Sequence, residues 1–513
     1  MLLKLRNKNM YPERIKLQVL ESQHPDYSRH LPALEDIDLL VSGGFKLKNT
    51  IRKFLPQRPG EEPEVYEARV NKYTYLNILG SAISDQVSRL SNSALVVSGV
   101  EDEKVAKFWE DFRENIDLAK KSEKSFISNI FREILKFKKV YLHVDKPKVD
   151  VEIQNKAQEE ALGIRPYGVM YSALQVTNWS ESKGKLQWIK VRQLLDDTSN
   201  PLEAPKKKII WTYIDNTFVA RYEAFVELDN YGNISKIGDE VVNDETTIPI
   251  SRLVQHGLGT IPVLKVEVAD DLWVADQAAA KALEHLRTDC SKYDLLTLAY
   301  FQRTYKRIQT PDGDLEDTYV DSDEQTIPTG LQYVLPLEKF EWNEPQGHIL
   351  PHLMDSLRQI ESQVKDLISI GGFSAELGAV TQSGVSKEMD FHKQDVVLKS
   401  YGEILTEAYQ DFLQLVAKSA GLPYEDISVT GLSNFERSNL TTKLGSLDSI
   451  AKIDFNKLKG ELPPTAFKLV YQQIVKELVG NVSAKQEQEI ADEIEKLLLK
   501  SPEQIPTLSE NIQ

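Results

Sequence analysis

The chain has 513 residues, 62 Lys and Arg against 78 Asp and Glu, a formal net charge of −16 and a single cysteine, Cys290. Hydrophobic content of 41% with 27% charged residues excludes wholesale disorder, and the length accommodates about two to four structural units. One cysteine permits neither an intramolecular disulfide nor an all-cysteine zinc site, and the acidic balance argues against gripping DNA by neutralising its phosphates.

The opening "MLLKLRNKNMYPERIKLQVLES" scatters Lys and Arg among its apolar residues and lacks the uninterrupted core of a signal peptide. No run of about 18 apolar residues occurs anywhere, so no spanning helix is expected. Residues 1–58 combine a short helical pattern around "LPALEDIDLLVSGG" with a proline-bounded basic loop, and read as an arm and connector. A mostly helical pattern runs from Glu61 to about Ser93, and "FWEDFRENIDL" and "SEKSFISNIFREILKF" add two amphipathic helices, the second capped by Ser122 or Ser125.

The texture then changes. "KVYLHVD", "YGVMYSALQVTNW", "LQWIKVRQL", "KKIIWTYID", "FVARYEAFVEL" and "IPVLKVEV" are short runs rich in Val, Ile, Tyr and Trp, separated by turn formers. Residues 139–268 are therefore expected to form a mainly antiparallel β module on the preceding helices, an α+β fold.

After Asp270 the helical period returns. Leu272, Ala275, Ala279, Ala282, Leu286, Cys290, Tyr293, Leu296 and Tyr300 mark one face of a helix over 270–307, about 57 Å long at 1.5 Å per residue. The next segment carries seven acids and no base: Asp312, Asp314, Glu316, Asp317, Asp321, Asp323 and Glu324. A short β-like piece, "LQYVLPLEKFEW", leads to a second helix whose seam is Leu353, Leu357, Ile360, Val364 and Leu367. Gly371 and Gly372 stop it.

Within "SIGGFSAELGAVTQSGVSKE" the chain becomes small, polar and almost uncharged before a third helix begins near Ser386 and runs to Ala420, with Val397, Tyr401, Ile404, Ala408, Phe412 and Leu415 on its face. Two further helices, "PTAFKLVYQQIVKELVG" and "SAKQEQEIADEIEKLLLK", make a small C-terminal subdomain; Ser483 and Gln486 form a capping box.

Catalytic signatures are weak. "GAVTQSGVS" has the glycines of a phosphate-binding loop, but Val385 and Ser386 follow Gly384 where a lysine is needed. His348 and His352 are spaced for one helix face, yet Pro351 lies between them and no third ligand is evident, so both read as histidines at a helix start. His392 reads as packed or surface, and Cys290 sits on an apolar face where a reactive thiolate is not expected. Asp312, Asp314 and Glu316 imitate the start of a calcium loop, but Asp317 replaces its glycine and Asp323 its bidentate glutamate. The acidic run is then either a solvated loop or a repulsive or docking patch. No metal or cofactor is expected.

From "GGFKLKNTIRKFLPQRPGEEPEVYEARVNKYTYLN" through "NIDL", "YLHVDKP", "RPYGVMYSALQVTNW" and "GLGTIPVLKVEV" to "GVSKEMDFHKQDVVLKSYGEILTEAYQDFLQLVAKSAG", the order of motifs over residues 40–420 resembles the portal proteins of tailed bacteriophages, in a subgroup often catalogued as a domain of unknown function. The resemblance implies a ring, usually a dodecamer, at one capsid vertex of the virion, assembled in the host cytoplasm. DNA is packaged and ejected through it, without membrane involvement and without catalysis by the ring itself. Its implied partners are double-stranded DNA, the terminase large subunit, a head-tail adaptor, and capsid and scaffold proteins.

Carried onto this chain, residues 1–58 form an arm and connector, 59–269 a wing, 270–307 and 346–371 stem helices, 308–345 a clip, 372–385 a tunnel loop, 386–424 a long wing helix and 425–513 a helical crown. The tail after about 425 and the acidic insertion add nothing to the match. The channel loop would present Gly378, Ala379, Val380, Thr381, Gln382, Ser383, Gly384 and Lys387 to DNA, and the seven clip acids would repel DNA toward the axis or face terminase and adaptor. Twelve helices side by side at about 10 Å give a ring about 38 Å across and a bore near 28 Å, about the width of a duplex with little to spare. Two other classes remain open: a metal-dependent DNA-processing enzyme, and a structural adaptor that forms no ring. The loop itself could equally be an ordinary connection between helices.

Overall fold

The computed structural model describes residues 11–432 apart from 92, 94, 101–102, 148–163, 230–231, 302, 306–339, 343–348 and 371–383. In chain order the first elements are β1 (Arg14–Lys16), α1 (Leu17–Glu21), α2 (Pro25–Ser42), α3 (Gly44–Phe54), α4 (Pro63–Asn71), α5 (Ile78–Ser91), β2 (Leu95–Ser98), α6 (Glu103–Glu114) and α7 (Glu123–Phe137). The strands β3 (Lys139–Asp145), β4 (Tyr167–Ser172), β5 (Val176–Ser182), β6 (Lys185–Asp197), β7 (Lys206–Asp215), β8 (Phe218–Leu228), β9 (Ile234–Ile237), β10 (Glu240–Val241), β11 (Thr247–Gln255) and β12 (Val263–Glu267) follow. Then come α8 (Ala275–Phe301), β13 (Arg303–Tyr305), β14 (Phe340–Trp342), α9 (Ile349–Ile370), α10 (Gly384–Ala420) and β15 (Ser428–Gly431). The fold is α+β with antiparallel sheets.

The chain divides into two compact units. The larger draws on described residues 11–42, 79–279 and 365–432, the smaller on 43–78 and 280–364.

The larger unit holds two sheets that share a core. One runs β1-β11-β8-β7-β6-β5, with β9 pairing β8 and β10; the other is β12-β3-β4. Trp179, Ile189, Val191 and Ile214 of the first meet Tyr141, Tyr171 and Val263 of the second, and Tyr27 of α2 joins them. Residues 140–144 of β3 are all buried because α7 and α10 cover the face turned away from that core. The apolar face of α7 is Phe126, Ile127, Ile130, Phe131, Ile134 and Phe137, and of the two candidate serines Ser122 is the cap, accepting from the Ser125 N–H at 3.4 Å.

Residues 14–21, read from sequence as part of an arm, are built into the large sheet. β1 pairs with β11, and Leu17 and Leu20 pack with Trp211 and Tyr222. Lys190, fully buried in β6, donates to the carbonyls of Val19 (3.2 Å), Leu20 (2.8 Å) and Ser22 at the C-terminal end of α1, where the Val19 carbonyl also accepts from the Ser22 N–H (3.4 Å). Glu21 accepts from Arg192 (3.0 Å) and the Trp211 indole (2.7 Å). Every partner lies more than 160 residues away, and for that reason local pattern gave no sign of them.

The strand β11 escaped the sequence reading, as did the pairing of β15 with β2, whose register runs Ser428↔Ser98 to Gly431↔Leu95. This pair rests on α10, where Gly402 leaves room for the Leu432 carbonyl. Next to it Gly99 takes φ +84° beside the Asp426 backbone, a conformation and an approach that a Cβ would forbid.

Three helical expectations change. The run over 270–307 is a 3-10 turn, Asp270–Leu272, then α8, then the strand β13, whose β-branched and aromatic Thr304 and Tyr305 favour extension. On α10 the buried track is Val397, Leu398, Tyr401, Leu405, Tyr409, Phe412, Leu413 and Val416; the expected Ile404, Ala408 and Leu415 are half-buried. On α9 the seam ends on Ile368 and not on Leu367, because a 3.6-residue turn drifts past a strict heptad. α10 ends in a Schellman motif: Leu422 N–H donates to the Ala417 carbonyl (2.9 Å), with Gly421 at φ +66°. The helices expected at 464–480 and 483–500 lie outside the described residues.

Candidate functional site

The segments that the sequence singles out for function are the acidic insertion, the helices that flank it and the glycine-rich stretch. β13 and β14 pair antiparallel, Arg303↔Trp342, Thr304↔Glu341 and Tyr305↔Phe340. The strands on either side of residues 306–339 are therefore neighbours, between α8 and α9 in the chain. Asp312, Asp314, Glu316, Asp317, Asp321, Asp323 and Glu324 all belong to that segment and lie outside the described residues, as do Gly378, Ala379, Val380, Thr381, Gln382 and Ser383. Gly384 begins α10 and Lys387 lies in its first turn, so the helix starts before the expected loop end at 385.

α8 is anchored within the smaller unit by polar contacts as well as apolar ones. Ala282 and Leu286 are buried completely, and buried Cys290 donates its thiol to the Thr74 carbonyl (3.8 Å), the packing role expected of it. Arg287 donates to the carbonyl of Phe54 (3.1 Å) at the C-terminus of α3, where a cation meets the negative end of the helix dipole. The Thr74 hydroxyl donates to Asp289 (2.6 Å), which also pairs with Lys292. Burial alone would raise the Asp289 carboxyl, but the hydrogen bonds from Lys292 and Thr74 outweigh it and hold the group below its usual range. Burial pulls His285 down against the charges of Asp289 and Glu361, keeping the imidazole neutral.

Several cations on the two flanking helices have polar partners within the smaller unit. Lys281 pairs with Glu284 (2.8 Å), Lys292 with Asp289 and Arg358 with Asp355 (3.5 Å), while Arg287 is committed to Phe54. Most of these partners were legible from acid-base spacing at i,i+3; Thr74 and Phe54 were not. His352 is exposed near the start of α9, and His348 lies outside the described residues. Among the described residues no three His, Cys, Asp or Glu side chains gather as a metal would require, and no helix is long and apolar enough to cross a membrane.

No family model matches the chain, and no curated protein matches it. Similar solved structures include the virion of a native gene transfer agent particle, 9% identical with TM-score 0.33, covering 73% of this chain and 84% of that one. Chains in the neck of the empty particle computed with C6 symmetry (10%, 0.36, 73% and 86%) and of the native particle computed with C12 symmetry (10%, 0.34, 77% and 89%) are similar to the same degree. Superpositions this loose do not establish a common fold.

Proposed function

We propose that this chain is the subunit of a portal-type ring in a tailed-phage-like particle, a channel through which DNA is packaged and released. Copies associate side by side, about twelve to a turn on the duplex-width argument, with the glycine-rich segment 372–385 lining the bore and the acidic excursion docking a terminase or an adaptor. The reading makes the chain a structural component of the virion, with no catalytic step of its own.

The observation that carries the proposal is the pairing of β13 with β14 between two long helices. It brings together the two ends of a segment in which residues 310–330 carry seven acids and no base, next to helices on which Lys281, Lys292 and Arg358 pair with carboxylates and Arg287 donates to a carbonyl. A wall of this kind steers a polyanion without holding it, because each lysine left free to pair with a phosphate would add affinity through counterion release and act as a brake. The order of motifs along residues 40–420 points to the same class.

Negative-stain microscopy of the purified full-length chain tests this directly. Annular particles with a hole of duplex width are the expected result; sedimentation that never exceeds one or two chains under any condition overturns it. Replacing Asp312, Asp314, Glu316 and Asp317 with neutral residues is expected to weaken stimulation of a terminase, and unchanged packaging would discard the docking role.

A further inference from the structure

A recess in the larger unit, on a different part of the chain from the proposed channel, has the chemistry of a binding site. Its volume is about 340 Å³, within the usual range for small-molecule pockets. The end of β3 (His143, Asp145), the start of β8 (Arg221) and the end of β11 (Arg252) contribute to its polar lining, together with Lys146, Gln255, His256 and Ser419.

Arg221 and Arg252 are direct partners across the β8–β11 pair, just past the irregularity between Ile250 and Arg252. Like charges placed opposite each other on neighbouring strands destabilise a sheet unless something lies between them. No hydrogen bond or ion pair from a described residue engages either guanidinium, and the Nε of Arg221 is buried without a partner. Asp145 is the carboxylate of this lining, but its oxygens already accept from the Tyr167 hydroxyl (2.9 Å) and the Lys146 N–H (2.8 Å).

At the back of the recess His143 is 2% exposed. Its Nδ1 lies 3.4 Å from the Tyr171 hydroxyl, and its Nε2 is buried with no partner among the described residues. Burial pushes the imidazole down to about 4, so it is neutral near pH 7. With the tyrosine donating to Nδ1, Nε2 carries the hydrogen and is a donor lacking an acceptor. His256, also on the wall, is spoken for: its Nε2 lies 3.0 Å from the Asp215 carbonyl and its Nδ1 accepts from the Leu258 N–H (3.3 Å).

Two facing guanidiniums and a neutral imidazole N–H form a set of donors without matching acceptors, and a small tetrahedral oxyanion satisfies them together. We propose that this recess binds a phosphate group, with Arg221 and Arg252 as its charged clamp and His143 Nε2 as a neutral donor. The phosphate is either inorganic phosphate or the phosphate of a small metabolite. Arginine suits the role because its planar fork meets two oxygens at once.

Calorimetric titration of the full-length chain with inorganic phosphate at neutral pH in chloride buffer is the test, with adenosine monophosphate as a second arm. Saturable binding tighter than about 1 mM is expected, weakened at least about tenfold by R252Q and by R221Q. Tighter binding of the nucleotide would identify a metabolite as the source; equal binding would identify free phosphate. Arg252 is exposed, so R252Q is expected to fold normally. It should melt at or above the parent temperature without phosphate and lose the rise that phosphate gives the parent. No saturable binding, or binding that both variants leave unchanged, overturns the proposal. So does a site that ignores both phosphate probes but loses affinity for duplex DNA in R221Q, which would make it a DNA contact. None of these outcomes depends on whether the chain forms a ring.

Discussion

In the larger unit, Phe412 of α10 stacks on Phe126 at 5.3 Å and meets Phe112 at 6.3 Å, while Trp211 and Tyr222 in one cluster and Tyr141 in another are completely buried. In the smaller unit the described helices bury chiefly aliphatic side chains such as Leu47, Ile51, Leu357 and Ile360, and ion pairs tie its connections. There Arg69 donates to Glu61 (2.8 Å), both side chains under 10% exposed, and to the carbonyl of Pro56 (2.8 Å). The contrast teaches where each unit keeps its specificity. Interlocked rings fix the larger one by shape, whereas aliphatic helix faces slide more easily and the smaller one uses directional polar contacts to hold α3 and α4 in register.

The sharpest way to break that contrast is to remove a ring. Phe412→Ala is expected to cost about 3–5 kcal/mol, seen as a lower urea midpoint in the transition followed by tryptophan fluorescence. Gly402→Ala comes next. A methyl there overlaps the Leu432 carbonyl oxygen, so β15 must move, at about 2–3 kcal/mol in the same assay.

The smaller unit should respond to pH more than to volume. The Arg69 guanidinium, and after it the Arg58 N–H, hold the Glu61 carboxyl down to about 2, well below 4.5. A depressed carboxylate stabilises the fold above its unfolded value and loses that contribution as pH falls through the folded one. Arg69→Gln should therefore lower stability at pH 7, with the difference from the parent shrinking as pH falls from about 4.5 toward 2 in circular-dichroism titrations. Smallest of all is Arg52→Ala. Arg52 and Glu67 pair at 2.7 Å, but their side chains are 57% and 47% exposed, and the urea midpoint should not move beyond error. A large loss at Arg52, or none at Arg69, would erase the distinction between the two units.

Much of the secondary structure was legible in advance. The alternation through residues 139–228 located β3 to β8, and the apolar period after Asp270 found α8, α9 and α10. What failed to show was anything set by a distant partner: β11, with its mixed "TIPISRLVQ"; β2 and β15, four residues each and more than 300 apart; and the rotation of α10 by one residue at its middle. The oxyanion recess had no sequence signal. His143 reads as one member of a buried strand, and Arg221 and Arg252 become neighbours only through the register of β8 against β11.

The sequence by itself determined the α+β class, the places where helix gives way to strand and the run of acids without a base over residues 310–330, because composition and periodicity of 2 or 3.6 are properties of residues near each other along the chain. Tertiary structure alone decided that β1 closes one edge of the large sheet, that Lys190 ends α1 and that two arginines stand face to face. Strand order and register are settled by which apolar surfaces find cover across hundreds of residues, and a charge acquires its partner, or is left without one, only after that choice is made.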